Sequence, residues 1–154
     1  MTTPDDPQHP SFPGEAVAAL MVTPDRRYLL QHRDDRQGIF FPGFWGNFGG
    51  GIDDGETREQ ALSRETLEEL QFEVNAAKFF CTLTMDFGFS GLGNIPRHFY
   101  EICVDENDLL RMNQLEGQGM ALFSPETILT MPKVAPYDAL VIWQHAFQVQ
   151  FRGR

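Results

Sequence analysis

Cysteine is scarce in this chain: two in 154 residues, Cys81 and Cys103, with no Cys-x-x-Cys and no Cys/His cluster. A structural zinc site needs closely spaced thiolate and imidazole ligands, so none is expected. The two cysteines fall in strand-like segments far apart in sequence. They read as small buried hydrophobes of a reducing compartment rather than as a disulfide or a metal pair. Long apolar runs are missing as well. Nothing approaches the ~20 residues of a membrane helix, and the N-terminus lacks the basic-then-apolar order of a signal peptide. The cytoplasm is therefore the expected location, and no membrane partner is expected. Positive charge is also short, with 12 Lys and Arg against 22 Asp and Glu and a formal net charge of −10. A surface that negative disfavours nucleic acid, whose phosphates are met by Lys and Arg.

What is present is an ordinary globular composition, 42% hydrophobic and 22% charged, in a chain of one domain's length. Pro4, Pro7, Pro10 and Pro13 recur every third residue. That spacing suits a polyproline II ligand, but composition and terminal position favour a flexible tail over residues 1–14, with the folded domain at 15–154. Ala16 to Val22 and Tyr28 to Arg33 read as strands around a Thr23-Pro24-Asp25-Arg26 turn. An aromatic, glycine-rich stretch follows. Thr57 and Gln60 form a capping box that opens a helix to about Leu70. Ala77 to Phe87, Pro96 to Val104 and Met120 to Phe123 read as further strands. Ser124-Pro125 starts a brief helix. Pro136 opens a last one, with Leu140, Trp143 and Phe147 on one face. The irregular alternation predicts an α/β fold, a mixed sheet with helices on both sides.

On the helix after Thr57, Glu65, Glu68 and Glu69 stand at i, i+3 and i+4, within about a 100° arc. Leu62, Thr66, Leu67 and Leu70 cover the opposing side. Crowded carboxylates repel one another, and a solvated acidic face is the ordinary explanation for them. The preceding Gly49-Gly50-Gly51-Ile52-Asp53-Asp54-Gly55-Glu56 argues for more. A glycine loop feeding an acidic helix offers hard carbonyl and carboxylate oxygens, the set Mg²⁺ or Mn²⁺ prefers.

The constellation resembles the Nudix hydrolase signature. Gly50 is followed after five residues by Glu56, and after seven more by Arg64-Glu65-Thr66-Leu67-Glu68-Glu69-Leu70-Gln71-Phe72. Every Gly and charged position from Gly50 to Glu69 matches. Thr66 and Phe72 depart from aliphatic positions, Gln71 replaces a Gly suited to a left-handed cap, and Phe48 stands where a Pro often precedes the glycines. None of these is a metal ligand. The resemblance implies an α/β/α sandwich and a Mg²⁺- or Mn²⁺-dependent attack of water on a pyrophosphate bond. Its substrate would be a small nucleoside diphosphate derivative, such as a nucleotide sugar or a nucleoside triphosphate. It implies that Glu65, Glu68 and Glu69, with the Gly49 carbonyl, hold metal. Arg64 would orient a carboxylate, Glu56 would brace the loop, and Glu65 would assist deprotonation of water. Glu116 resembles a late loop glutamate that completes the site in some members; a plain solvent-facing residue is its other reading. Metal would also supply the positive charge that an acidic protein needs at a phosphate site.

Arg33 and Arg97 are candidates for a substrate phosphate, though each also reads as an ordinary surface charge. Phe40, Phe41, Phe44, Trp45 and Phe48 read as packing rather than base stacking. Phe87 and Phe89 could line the pocket or a dimer contact, which leaves a homodimer open. His32, His98 and His145 show no ligand spacing and read as structural. Two alternatives stand beside hydrolysis. A non-catalytic nucleotide-binding or regulatory module would be expected to lose carboxylates, and none is lost. An isoprenoid diphosphate isomerase needs a Cys and His pattern that is absent.

Overall fold

The computed structural model describes residues 14–152, and side chains through residue 148. The proline repeat, and all of the expected tail but Gly14, lie outside the described residues. Among the described residues, seven strands and four α-helices follow in chain order. They are β1 (Ala16–Val22), β2 (Tyr28–His32), β3 (Trp45–Gly46), β4 (Phe48–Gly51), α1 (Arg58–Leu70), β5 (Lys78–Asp86), β6 (Asn94–Cys103), α2 (Glu106–Arg111), β7 (Gly119–Phe123), α3 (Pro125–Thr130) and α4 (Pro136–Arg152), with a short 3-10 turn at Gly88–Ser90 between β5 and β6. The sheet runs β3-β2-β1-β6-β5, with β4 added to β1 and β7 to β2. Only β1 and β6 pair in parallel, so the sheet is mixed.

Every residue of β1 is apolar, the pattern of a strand covered on both faces. Successive side chains alternate between those faces. Val17, Ala19 and Met21 pack with Ala61, Leu62 and Leu70 of α1. Ala18 and Leu20 pack with Ile128 of α3 and with Val141 and Ile142 of α4. Helices thus flank the sheet on both sides, as expected.

Two expectations are corrected. Neither cysteine is fully buried: Cys81 lies half-buried on β5 at the edge of the sheet, and Cys103 is exposed at the last position of β6, both as free thiols. Leu67 is 44% exposed, and the buried face of α1 includes Glu69 instead, drawn in by a backbone N–H of the glycine strand. On α4 the face of Leu140, Trp143 and Phe147 points outward, while Tyr137, Val141 and Ile142 enter the core. Both faces of that helix are apolar, so periodicity alone could not choose between them. His98 and His145 are structural, as read. His98 is buried between Thr82 and Glu15, and His145 between Tyr28 and Glu101.

Candidate active site

The site is organised by α1. Thr57 Oγ1 accepts from the Gln60 N–H at 3.1 Å and Gln60 Oε1 accepts from the Thr57 N–H at 2.8 Å, closing the expected capping box. At the other end Gln71 takes the left-handed conformation, φ 50°, and its N–H bonds the Leu67 and Thr66 carbonyls. A non-glycine residue there costs about 1 kcal/mol. Its side chain gives something in return, because Gln71 Oε1 accepts from Asn113 Nδ2 at 2.8 Å.

The three glutamates that share an arc in sequence do not share an environment. Glu68 has a side chain 57% exposed and rests 3.3 Å from Arg64. Glu69 is 6% exposed and accepts from the Gly49 N–H at 2.9 Å. Glu65 lies over the backbone of Gly50, where an added Cβ would stand 2.6 Å from its carboxylate. Arg64 holds the assembly together. Its Nε and Nη2 grip both oxygens of Glu56 at 2.8 and 2.9 Å, Nη1 donates to Glu65 at 2.7 Å, and Nη2 reaches the Gly51 carbonyl at 2.8 Å. Glu56 also accepts from the Asp53 N–H, so it braces the loop as expected. The Arg64 hydrogen bonds, followed by that N–H, hold Glu56 below the usual carboxylate range.

Burial acts in the opposite sense on the other two. Desolvation pushes the Glu65 carboxyl up, against the pull of Arg64. It lifts Glu69 to about 8, opposed by the Gly49 N–H and reinforced by repulsion from Glu65 and Glu116. Two carboxylates penalised as anions stand ready for a cation.

They open on a cavity of about 410 Å³ lined by Gly49, Gly50, Gly51, Glu65, Glu69, Glu116, Arg33, Arg36, Arg97 and Tyr137 among others. The glycines of β4 form part of its wall with backbone alone. Of the residues singled out in the sequence, Gly49, Glu65, Glu69, Glu116, Arg33 and Arg97 line this one cavity, while Arg64 and Glu68 lie behind its acidic wall. Glu116 is carried on a stitched loop: its carbonyl accepts from Gln31 Nε2 and Gln114 Nε2, and the Gln118 N–H bonds His32. Arg33 donates from Nε to the Phe40 carbonyl at 2.9 Å. Arg97 is not a surface charge; it is 6% exposed, against the rings of Tyr137 and Phe99.

Sequence reasoning missed Arg36 and Tyr137, which line the cavity, and the buried Asp138 beside Arg97. Asp138 reads in sequence only as an acidic first turn of α4. Phe40, Phe41 and Phe87 pack together around Tyr137, Phe48 is core, and Trp45 stacks on His32. A second groove, about 510 Å³, lies elsewhere, lined by Tyr28, Glu101, Ser124 and His145 among others. It lacks both the glycine strand and the buried carboxylates of α1.

The donors available to a metal are oxygens throughout, which fits Mg²⁺ or Mn²⁺ and not zinc. Among the described residues no three acidic, His or Cys side chains are already gathered around one point. Glu65 and Glu69 face the cavity, and Glu68 would have to leave Arg64 to join them.

The NUDIX domain model matches residues 13–144 of this chain. The nucleoside triphosphatase NudI of Salmonella agona is 46% identical over 54 residues, 35% of this chain and 38% of that protein. The chain therefore spans well under half the length of the curated relatives it matches. A MutT protein of Methanosarcina mazei superposes with a TM-score of 0.74 at 17% identity, over 89% of this chain and 96% of the other. The NUDIX domain of Shewanella oneidensis NrtR, solved with ADP ribose, superposes at 0.66 and 20% identity, over 89% and 88%. The fold is shared, and with the domain match it places the chain in the Nudix hydrolase family of enzymes.

Proposed function

We propose that this chain hydrolyses a phosphoanhydride bond of a nucleoside diphosphate derivative, by divalent-metal-assisted attack of water at phosphorus. One observation carries the reading. Two carboxylates, the half-buried Glu65 and the buried Glu69, line one cavity together with three arginines, Arg33, Arg36 and Arg97, beside a bare glycine strand. An anionic bridge fits between such walls: its outer oxygens meet guanidinium groups, and its reacting phosphorus lies toward the acidic wall.

Glu65, Glu68 and Glu69, with the Gly49 carbonyl, are the oxygens that would hold Mg²⁺ or Mn²⁺. Such a cation supplies the positive charge that screens the bridge and favours ionisation of water. Arg64 keeps the Glu65 carboxylate aimed into the cavity, and the Gly49 N–H does the same for Glu69. Glu65 takes the proton from the attacking water as it approaches in line with the bridge. Glu116, which lines the same cavity, helps orient that water. Arg33 and Arg97 hold the departing phosphate.

The relatives support two substrate types. A nucleoside triphosphatase shares the 54-residue segment, and a similar fold binds ADP ribose. A triphosphate would yield a nucleoside monophosphate and intact pyrophosphate; a nucleotide sugar would yield a nucleoside monophosphate and a sugar phosphate. Hydrolysis of both types in ¹⁸O-labelled water with Mg²⁺, followed by mass spectrometry of each product, tests the proposal. Label on a phosphate of the cleaved anhydride is expected, and no turnover in excess chelator. Orthophosphate as the sole released phosphate, label on the sugar carbon, or full activity without metal would overturn it.

A further inference from the structure

Arg97 and Asp138 form a buried ion pair that is not closed. The guanidinium lies 5.0 Å from the centre of the Tyr137 ring and 5.6 Å from that of Phe99. Asp138 Oδ1 stands 3.6 Å from Arg97 Nε, close enough for strong attraction and too far for a hydrogen bond. Among the described residues, the buried side-chain nitrogens and oxygens without a hydrogen-bond partner are Arg97 Nε, Arg97 Nη2 and Asn47 Oδ1, all in this cluster. Asp138 is 1% exposed, and its carboxylate accepts from the Asn47 N–H and from Asn47 Nδ2, both at 3.0 Å. It also lies against β3, where a Cβ on Gly46 would meet its Oδ2 at 2.7 Å.

Burying two charges is costly, and attraction offsets this only with close geometry and satisfied hydrogen bonds. This pair has neither on the Arg97 side. A core built for stability alone would close the pair or replace it with apolar groups. Arg97 lines the catalytic cavity and Asp138 does not. The arrangement makes sense if the arginine is needed at the cavity wall and the aspartate is the charge that keeps it there.

We propose that Asp138 is the positioning residue for Arg97, holding the guanidinium against Tyr137 so that it meets phosphoryl oxygens of the substrate on the side away from Glu65 and Glu69. This rests on the anhydride reading above and deepens it. The accepted substrates are those whose second phosphate reaches across the cavity to Arg97. That phosphate is the terminal part of a triphosphate or the sugar-linked phosphate of a nucleotide sugar, and the chemistry recognised is the same.

The experiment compares the full chain with Asp138→Asn, Arg97→Gln and the double variant. Inorganic pyrophosphate binding in chelator is measured by calorimetry, folding by denaturant titration, and KM and kcat on the preferred nucleotide. Asp138→Asn is expected to weaken pyrophosphate about tenfold, ~1.4 kcal/mol, with the loss in hydrolysis carried by KM. The double variant should bind no worse than Arg97→Gln alone, because Asp138 acts through the arginine. If Asp138→Asn fails to fold, the double variant should restore folding by removing the uncompensated charge. Losses that multiply, a double variant that stays unfolded, or unchanged binding in Asp138→Asn would each overturn the proposal. Absence of nucleotide hydrolysis in the unaltered protein would strike the proposed function, while pyrophosphate binding would still decide the pair.

Discussion

Glu69→Gln isolates the electrostatic tension of the metal-free site. The substitution keeps the shape and the acceptor that receives the Gly49 N–H and removes the buried one of two crowded charges. The Glu69 carboxyl titrates near 8 in the fold against an ordinary value of 4.5. A carboxyl raised on folding contributes stability that is fully present below its unfolded value. That contribution is lost as pH rises through the folded value. The window here is therefore pH 4.5 to 8, with loss as the solution becomes more alkaline. At pH 7 the fold has given up about 3 kcal/mol, and above pH 8 the deficit approaches ~5 kcal/mol. Glutamine has no such dependence. In chelator the variant should match the parent near pH 4 and exceed it by roughly 6–12 °C in Tm near pH 7 for a chain of this size. With saturating Mg²⁺ the order should narrow or reverse, since the parent alone gains the full binding energy of the ion. Turnover should fall about a hundredfold or more, ~3 kcal/mol of lost transition-state stabilisation. The assay is a melting series from pH 4 to 9 with and without Mg²⁺, with turnover on the same preparations. Parallel melting curves for the two proteins across that range would refute the reasoning, as would near-normal turnover of the variant with saturating metal.

Two further substitutions probe the scaffold. Arg64→Gln leaves Glu56 and Glu65 without their shared cation and should cost about 2 kcal/mol, discounted because Arg64 is 26% exposed; Arg64→Lys should recover less than half, as an ammonium cannot fork across Glu56. A denaturant midpoint within about 0.5 kcal/mol of the parent would contradict the network. Gly50→Ala should displace only the Glu65 carboxylate and lower turnover about tenfold with a small change in melting. Gly49→Ala, at φ +136° and 2.2 Å from the Val17 carbonyl, should fail to fold. Equal effects of the two on melting would show that Gly50 is not adapted to Glu65.

The sequence made the acidic helix legible because its parts are local: a capping box, a glycine strand and charges at fixed spacing lie within one short stretch. β1, β2, β5, β6, β7, α3 and α4 were legible for the same reason. β3 and β4 were not, since glycine and aromatic residues carry no alternation and those strands exist only through pairing with β2 and β1. The short α2 was hidden among polar residues, although Asp105 and Asp108 close a capping box there. The division of labour between Glu68 and Glu69 was also invisible. Adjacent glutamates look alike until a backbone N–H from a distant strand selects one for burial. Asp138 shows the same limit at longer range, because its partners lie far away in sequence, Asn47 between β3 and β4 and Arg97 on β6.

The end of α1 has a consequence for how this chain can change. The Asn113 N–H bonds the Leu70 carbonyl, the Leu115 N–H bonds the Glu69 carbonyl, and Asn113 grips the Gln71 side chain. The last turn of the acidic helix is thus finished by the segment that delivers Glu116, and the distance between them is set like a gauge block. Adding or deleting one residue between 111 and 117 would unseat two carboxylates together, whereas the loop at 88–93 bears no such measurement. Lineages descending from this chain should therefore vary freely in the length of the second loop and hold the first constant, whatever substrates they come to accept.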